Sequence, residues 1–414
     1  MKAFLVVLGL TSTLHAASWK TDLDEARRLQ QSGETSRAEA AYGQILQQAD
    51  ELAPLDLNEL GLQLFYSARY TDAEAVYRRA LRAWDAAGPA AALNRITTEG
   101  NLGALLRAEA RYAESEALLL DDLHQAEVLA GKNSLEYGRA SSGLGALYLS
   151  WGQVAKAEKF ALQAQTILAG QLEEGHTERV NNSSILASVY AEERRYAEAE
   201  PLLQAVLAHA DDHLLARTYN DLAVLALRQN ELSKAEALAL KARESVAAGL
   251  PFAAVILTNM GQICRLEGRY IDAEKHYREA IEIWEHSLGR NHPDTAKAYM
   301  NLAAFYHLRG REHGAEDLYQ RAAAVFESVY GASHALTLIA RNQLADVYRA
   351  EGRYTESEKL GQVTLAALEQ SLGPEDPRVL QALVNEAHLY ANTKRTKEAA
   401  AIRNRVTAVS NSLR

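Results

Sequence analysis

The sequence has few residues that cross-link chains or break helices. Its 414 residues include one cysteine, Cys264, and seven prolines. A single cysteine excludes a disulfide framework and a cysteine-rich zinc site within the chain. The formal net charge of −10 argues against a general nucleic-acid-binding protein, which needs a basic surface. Beyond residue 20 no unbroken apolar run reaches membrane-spanning length, so no membrane span is expected.

The motifs of common catalytic and cofactor sites are also missing. The glycines occur singly, not in the GxGxxG or GxxxxGKS order that holds phosphates, and no HExxH sequence is present. The histidines are scattered along the chain. Cys264 is expected to be a small buried apolar residue and not a nucleophile. We therefore predict no catalytic residue, no metal site and no cofactor, and a protein that is not an enzyme.

The N-terminus has the layout of a secretory signal peptide. Lys2 supplies a positive charge, residues 3–10 (AFLVVLGL) are an apolar block, and small residues follow at Ala16, Ala17 and Ser18. We predict that residues 1–18 are a cleaved signal and that the mature chain is exported, either periplasmic or secreted. The alternatives are an N-terminal helix that packs on the next segment and a cytoplasmic regulator.

A short acidic motif recurs along the rest of the chain. Ten copies end at Glu39, Glu74, Glu116, Glu158, Glu200, Glu236, Glu274, Glu316, Glu358 and, in degenerate form, Ala400. Successive copies are 35 to 42 residues apart, and the commonest spacing is 42. Such a fixed period is the mark of a repeat architecture.

Small residues recur at two positions of every repeat. One lies just before the motif end, as in Ala38 and Ala73, and the other lies thirteen residues before that end, as in Gly61 and Gly103. A large apolar residue such as Leu60 precedes the second position in eight repeats, whereas Glu25 and Glu386 replace it in the first and last. The pattern predicts two closely packed helices per repeat and polar capping repeats at the ends.

With these features the repeats resemble tetratricopeptide repeats. The turn reads GRY at residues 268–270 and 352–354, Tyr277 and Ala280 follow on the second helix, and the run at residues 300–306 is MNLAAFY. The usual unit of that family has about 34 residues, and the 42-residue spacing is similar to the kinesin light chain class. The resemblance implies an all-α fold, a right-handed superhelical solenoid of about ten helix pairs over residues 19–414. Its inner face, formed by the first helices, would grip an extended peptide.

Amide side chains are candidates for peptide contacts on that inner face. Fifteen residues before the motif end lie Asn101, Asn259, Asn301 and Asn385, one residue earlier lie Asn220 and Asn342, and Gln262 shares the face. In the family that these repeats resemble, asparagine at this place bonds the ligand backbone through its amide donor and acceptor. The alternative is that these residues bond the adjacent helix and hold the stack together.

Basic residues outnumber acidic ones at the inner-face positions. The projected cations are Arg107, Arg139, Arg217, Arg228, Arg265, Lys297 and Arg349. This excess favours an acidic ligand segment, through electrostatic steering and bidentate arginine contacts. The alternative is a solvated face of mixed charge without a ligand.

The predicted function is that of a non-enzymatic scaffold that binds an extended, acidic peptide segment of a partner protein. The main alternative is an envelope assembly or export accessory that acts through its outer or end surfaces. The sequence does not fix the oligomeric state.

Overall fold

The structure is a computed structural model of the chain and describes residues 19–30, 34–67, 69–210, 212–246 and 251–412. The predicted signal peptide, residues 1–18, lies outside the described residues. Within the described ranges the chain forms twenty α-helices and no strand, which confirms the all-α solenoid. The chain divides into two compact units, Met1–Ala247 and Ala248–Arg414.

The described part of the first unit contains twelve helices. They are α1 (19–30), α2 (Thr35–Gln48), α3 (Pro54–Tyr66), α4 (Tyr70–Ala87), α5 (Ala92–Ala108), α6 (Tyr112–Ala130), α7 (Leu135–Trp151), α8 (Val154–Gln171), α9 (Thr177–Glu192), α10 (Tyr196–Ala208), α11 (Asp212–Arg228) and α12 (Leu232–Glu244).

The described part of the second unit contains eight helices. They are α13 (Pro251–Leu266), α14 (Tyr270–Leu288), α15 (Pro293–Leu308), α16 (Glu312–Tyr330), α17 (Ala335–Ala350), α18 (Tyr354–Leu372), α19 (Pro377–Asn392) and α20 (Thr396–Ser412).

Each sequence repeat is one antiparallel helix pair, so the ten repeats account for the twenty described helices. The small residue before the motif end is buried in all ten, and the large apolar residue is buried in the eight repeats that have one. At Gly61 a Cβ atom, if one were present, would lie 2.6 Å from Cε1 of Tyr77 on the partner helix. The prediction that small residues allow the two helices to approach closely is therefore confirmed.

The turn inside each pair requires one residue in the left-handed conformation. Gly352 has φ 78° there, and the equivalent Ala110 has φ 57°. Beyond Gly352, the amide of Arg353 donates to the carbonyl of Tyr348 at 2.9 Å, and this bond closes the helix C-terminus. Glycine is preferred at this position because it reaches positive φ without strain.

The arginine of this turn ties neighbouring repeats together. Arg111 pairs with Glu74, the motif-ending residue of the preceding repeat, at 2.6 Å, and Arg353 pairs with Glu316 in the same way at 3.1 Å. Arg353 also stacks on Tyr348, with its guanidinium carbon 4.0 Å from the ring centroid. The repeated acidic motif and the arginine of the turn are thus two halves of one contact between repeats.

Helix α15 begins after a linker that the sequence suggests is capped by Asp294 or Thr295. The structure shows that His292 is the cap, because its Nδ1 accepts a hydrogen bond from the amide of Asp294 at 3.1 Å. Thr295 instead donates its hydroxyl to the carbonyl of Gly289 at 2.8 Å, which fixes the linker. A histidine ring nitrogen therefore takes the role that was expected of a side-chain oxygen.

Candidate binding surface

The first helices of successive pairs form a continuous row in the first unit. Helices α3, α5, α7, α9 and α11 contact one another in turn, and in the second unit α17 contacts α19. We call the exposed surface of these helices, together with that of α13 and α15, the first-helix face. It contains the positions that the sequence predicts to meet a ligand.

The six predicted asparagines differ in how much side chain they expose. Asn301 is exposed, and Asn101 and Asn259 are half-buried. Asn101 donates its side-chain amide to Oδ1 of Asn58 on α3 at 3.0 Å, which is the helix-to-helix role left open by the sequence. Three others are buried, with exposed fractions of 8% or less: Asn220, Asn342 and Asn385. The buried residues offer little surface to a ligand.

Four of the seven predicted cations are neutralised by carboxylates. Arg139 makes a bidentate contact with Glu178, from Nη2 to Oε1 at 2.7 Å and from Nε to Oε2 at 3.0 Å, and Arg228 donates to Glu192 at 3.0 Å. The other two pairs are Lys297 with Asp294 at 2.8 Å and Arg349 with Asp346 at 2.6 Å. The first two pairs join residues 39 and 36 residues apart, which spacing along the sequence does not show, whereas the last two lie three residues apart on one helix. All four pairs reduce the positive charge that remains for a ligand.

Arg107 and Arg217 remain as cations that form no ion pair with a carboxylate in the described part of the first unit, although the charge of Arg217 favours the ionised form of Asp221 on the same helix. Arg107, at the end of α5, is half-buried and donates to the hydroxyl of Ser150 at 3.1 Å. Burial, and next the positive charge of Arg217 on α11, lower the pKa of the Arg107 guanidinium. Arg107 in repeat three therefore lies within electrostatic range of the positive charge of Arg217 in repeat six.

Arg265 and Gln262 are the remaining predicted residues, and both lie on α13 of the second unit. Gln262 is exposed. Arg265 is half-buried beside Tyr277, whose pKa is raised by burial while the Arg265 charge opposes that rise. The structure therefore places cationic and amide groups on both units.

Two pockets open on the first-helix face of the first unit. One, of about 200 Å³, is bordered by Glu192, Asp221 and Arg228. The other, of about 450 Å³, lies among α5, α6, α7, α8 and α9 and has Asp122 in its lining. The larger pocket contains a charged group that the repeat pattern did not lead us to expect.

Asp122 and Glu99 are buried carboxylates beside this larger pocket. Their exposed fractions are 2% and 1%, and Oδ1 of Asp122 and Oε2 of Glu99 have no hydrogen-bond partner among the described residues. Burial, then the neighbouring negative charge, raises the pKa of Asp122 to about 8, and burial raises that of Glu99 to about 7. Arg95 contacts Glu99 Oε1 at 2.9 Å and opposes that shift.

A signal for Asp122 is present in the sequence. It lies six residues after the motif end, where the residues of five other repeats are alanines: Ala80, Ala164, Ala242, Ala280 and Ala322. All five are buried in the core. An alignment of the second helices by repeat therefore shows a carboxylate at a position that is a core alanine in five other repeats.

The described residues contain no group of three or more His, Cys, Asp or Glu side chains arranged to hold a metal ion. None of their helices combines the length and the apolar character needed to cross a membrane. Cys264 is buried, as predicted.

Stacked helix pairs joined by repeat-to-repeat contacts define a helical-repeat scaffold. The family model for the tetratricopeptide repeat matches residues 178–247, 252–328, 294–370 and 336–412, more than half of the chain. The chain therefore belongs to the tetratricopeptide repeat family, as its motifs suggested. Repeats of this family are typically interaction scaffolds without enzymatic activity. Among curated proteins, none matches the sequence.

Several solved structures share this fold. The apo form of the quorum sensor NprR from B. thuringiensis is 15% identical, covers 84% of this chain and 98% of its own, and has a TM-score of 0.53. A Rap protein complexed with Competence and Sporulation Factor is 13% identical, with coverages of 96% and 99% and a TM-score of 0.50. Putative kinesin light chain TPR-like repeats from Podospora anserina also match, at 18% identity, coverages of 69% and 98% and a TM-score of 0.29. At these identities the likeness to the NprR and Rap structures shows the fold alone.

Proposed function

We propose that this protein is a non-enzymatic scaffold that holds an extended, acidic peptide segment of a partner protein against the first-helix face of its first unit. The observation that carries the proposal is the pair Arg107 and Arg217. Neither forms an ion pair with a carboxylate in the described residues, although the charge of Arg217 also acts on Asp221 of its own helix, and the two positive charges repel each other. A ligand carboxylate between them would relieve this repulsion and accept charge-assisted hydrogen bonds.

The surrounding surface supports an extended ligand. The contacts among α3, α5, α7, α9 and α11 make the first-helix face continuous over five repeats. The Rap protein structure, which shares the fold, is a complex with Competence and Sporulation Factor, and this supports an interaction role. A few charge-assisted and amide hydrogen bonds, less the cost of ordering the peptide, correspond to roughly micromolar affinity.

The test is selection from a displayed library of random peptides, followed by fluorescence anisotropy with the selected peptides. We expect enrichment of Asp and Glu and binding that weakens as salt rises. The double variant Arg107→Gln with Arg217→Gln should lose about tenfold or more in affinity, the equivalent of about 1.4 kcal/mol.

The matched control is Lys132→Gln, which removes one positive charge from an exposed site paired with Glu127. It should leave peptide affinity unchanged. Selection of peptides without carboxylates, or equal binding by the double variant and the wild type, would show that the proposal is wrong.

Export remains part of the proposal. A signal at residues 1–18 would place the scaffold outside the cytoplasm, in the periplasm or the medium. Mass spectrometry of the native protein should find an N-terminus at residue 17 or 19. A retained Met1 would instead favour a cytoplasmic regulator.

Capture of the partner protein by the double variant Arg107→Gln with Arg217→Gln tests which surface binds it. If the first-helix face binds the partner, the double variant should lose it. An envelope assembly or export accessory that binds through its outer surface would keep its partner.

A further inference from the structure

The pocket of about 450 Å³ beside Asp122 has a carboxyl group at its base and apolar walls. The walls include Ile96, Leu168 and Ile185, which would pack against methylene groups. Asp122 lies in the lining with an exposed fraction of 2%, and its Oδ1 has no hydrogen-bond partner in the described residues. A buried carboxylate oxygen without a donor is costly, so it is retained only where something compensates.

Two glycines give the pocket its space. A Cβ on Gly100 would lie 3.6 Å from Oδ2 of Asp122, and a Cβ on Gly143 would lie 3.5 Å from Cδ2 of Leu119. Gly143 occupies the repeat position that holds Asn101, Asn259, Asn301 and Asn385 in other repeats. A side chain at either glycine would extend into the pocket, whereas hydrogen leaves the approach to Asp122 open.

The charge of the lining selects the sign of the ligand. Asp122, Glu136 and Glu178 contribute carboxylates to the lining, and Arg139 is the one basic residue there. That arginine is already bound to Glu178 in a bidentate contact. A carboxylate at the base, a surplus of negative charge and apolar walls together match a short alkyl chain that ends in an ammonium group.

We infer that this pocket binds a primary alkylammonium group, either a lysyl side chain of a bound peptide or a small free amine, with Asp122 as its counter-ion. Where the occupant is a lysyl side chain, the inference rests on the proposed function. The ammonium would donate to the carboxylate of Asp122, whose Oδ2 is the oxygen beside Gly100, and its methylenes would contact the apolar walls. This pocket would then bind a lysine of the partner segment, and Arg107 and Arg217 would bind a carboxylate of the same segment.

The test is calorimetric titration of the full chain at pH 8.5 with N-acetyl-lysine methylamide, with N-acetyl-norleucine methylamide as the neutral comparator. We expect binding of the lysine derivative at least about tenfold tighter than that of the comparator. Asp122→Asn, which keeps the shape, should abolish the preference. Gly143→Asn, which fills the pocket with the residue of other repeats, should weaken binding of both compounds.

The matched control is Asp121→Asn, because Asp121 is the exposed neighbour of Asp122 on α6. It should keep the preference for lysine. Asp122→Ala introduces the residue found at this position in five other repeats, so it provides a folded variant without the carboxylate. Equal binding of both compounds, absence of binding, or a preference that survives in Asp122→Asn and Asp122→Ala would overturn the inference.

Lower pH should also weaken binding, because an ammonium group needs the ionised carboxylate. Affinity should fall as pH drops below about 8, the pKa to which burial raises Asp122. The charged groups around Asp122 on the helices that surround it are Arg95 and Glu99 on α5, Asp121 on α6, Glu136 and Arg139 on α7, and Glu178 on α9. The same pH series on Asp122→Asn measures the effect of these neighbouring groups alone, so that the effect of Asp122 can be separated from theirs. A preference for lysine that is the same at pH 5.5 and pH 8.5 would contradict a role for Asp122.

Titration with butylammonium separates the sources of the amine. Butylammonium that binds as tightly as the lysine derivative assigns the pocket to small free amines, and binding of the lysine derivative alone assigns it to lysyl side chains. These titrations need no selected peptide. If the chain binds the amine through Asp122 but selects no peptide, the inference about the pocket stands and the proposed function is wrong. If the chain selects acidic peptides but does not bind the amine, the proposed function stands and the inference about the pocket is wrong.

Discussion

His307 on α15 is hydrogen-bonded through Nε2 to Oδ2 of Asp346 on α17 at 3.0 Å. Its Nδ1 contacts Oε2 of Glu312 on α16 at 2.5 Å, so one imidazole joins three helices of the second unit. The hydrogen bond to Asp346 raises the pKa of His307 to about 8, with a smaller contribution from Glu312, although burial opposes the rise. Arg349 contacts Asp346 as well, at 2.6 Å.

This contact predicts a pH-dependent stability of repeats eight and nine. A folded-state pKa above the unfolded value means that the stabilisation is complete below about pH 6.5 and is lost as pH rises through about 8. His307→Gln should therefore be less stable than the wild type by about 1–2 kcal/mol at pH 6, and the difference should shrink by pH 9. Hydrogen exchange of α15 and α17 amides measures it locally. The control is His286→Gln, an exposed histidine on α14, and a constant difference across pH would contradict the assignment.

The close approach of α3 and α4 predicts opposite effects of one substitution at two glycines. Gly61→Ala would bring a Cβ to 2.6 Å from buried Tyr77 and should cost about 1–3 kcal/mol through overpacking. Gly43→Ala, in α2, meets nothing within 4 Å and should stabilise by about 0.4–1 kcal/mol. Urea denaturation measures both. If both substitutions changed the free energy of unfolding equally, close packing against Tyr77 would not be the reason for a small residue at Gly61.

The contact between Arg111 and Glu74 predicts that the acidic motif stabilises the stack. Both side chains are mostly buried, with 26% and 19% of their surface exposed. Glu74→Gln should lower the free energy of unfolding by about 1 kcal/mol, and the loss should diminish in high salt. Glu127→Gln serves as the control, because its partner Lys132 is 66% exposed and such pairs contribute little. Thermal denaturation at two salt concentrations decides between them.

The repeat structure was accessible to sequence reasoning because it depends on local periodicity. Small residues such as Ala73 and Gly61, and the glycine of the turn at Gly352, follow from helix geometry alone. Ion pairs between repeats were not accessible, since Arg139 and Glu178 are 39 residues apart and meet only through the packing of α7 on α9. The burial of Asp122 also depends on tertiary packing, although its alignment with core alanines carries a readable signal.

The asparagines at the first-helix positions predict two different outcomes on mutation. Asn101 is bonded to Asn58 on the preceding first helix at 3.0 Å, so Asn101→Ala should cost about 1 kcal/mol of stability. Asn301 is exposed, so Asn301→Ala should stay within about 0.5 kcal/mol of the wild type. If Asn301 contacts the ligand, the double variant Asn259→Ala with Asn301→Ala should weaken peptide binding without early unfolding. Early unfolding with intact affinity per folded molecule would instead assign both residues to the stack.

Asp122 predicts a gain of stability when the carboxylate is removed. Because burial raises its pKa to about 8 in the folded chain, folding becomes less favourable as pH rises from about 4 to about 8. Asp122→Ala should therefore be more stable than the wild type by about 1–3 kcal/mol at pH 8, and the gain should be smaller at pH 5. Urea denaturation at both pH values measures this, with Asp121→Ala as the exposed control. If Asp122→Ala stabilises the chain and also removes amine binding, the carboxylate is retained for its ligand and lowers the stability of the fold. If Asp122→Ala instead loses stability at pH 8, Asp122 stabilises the repeat.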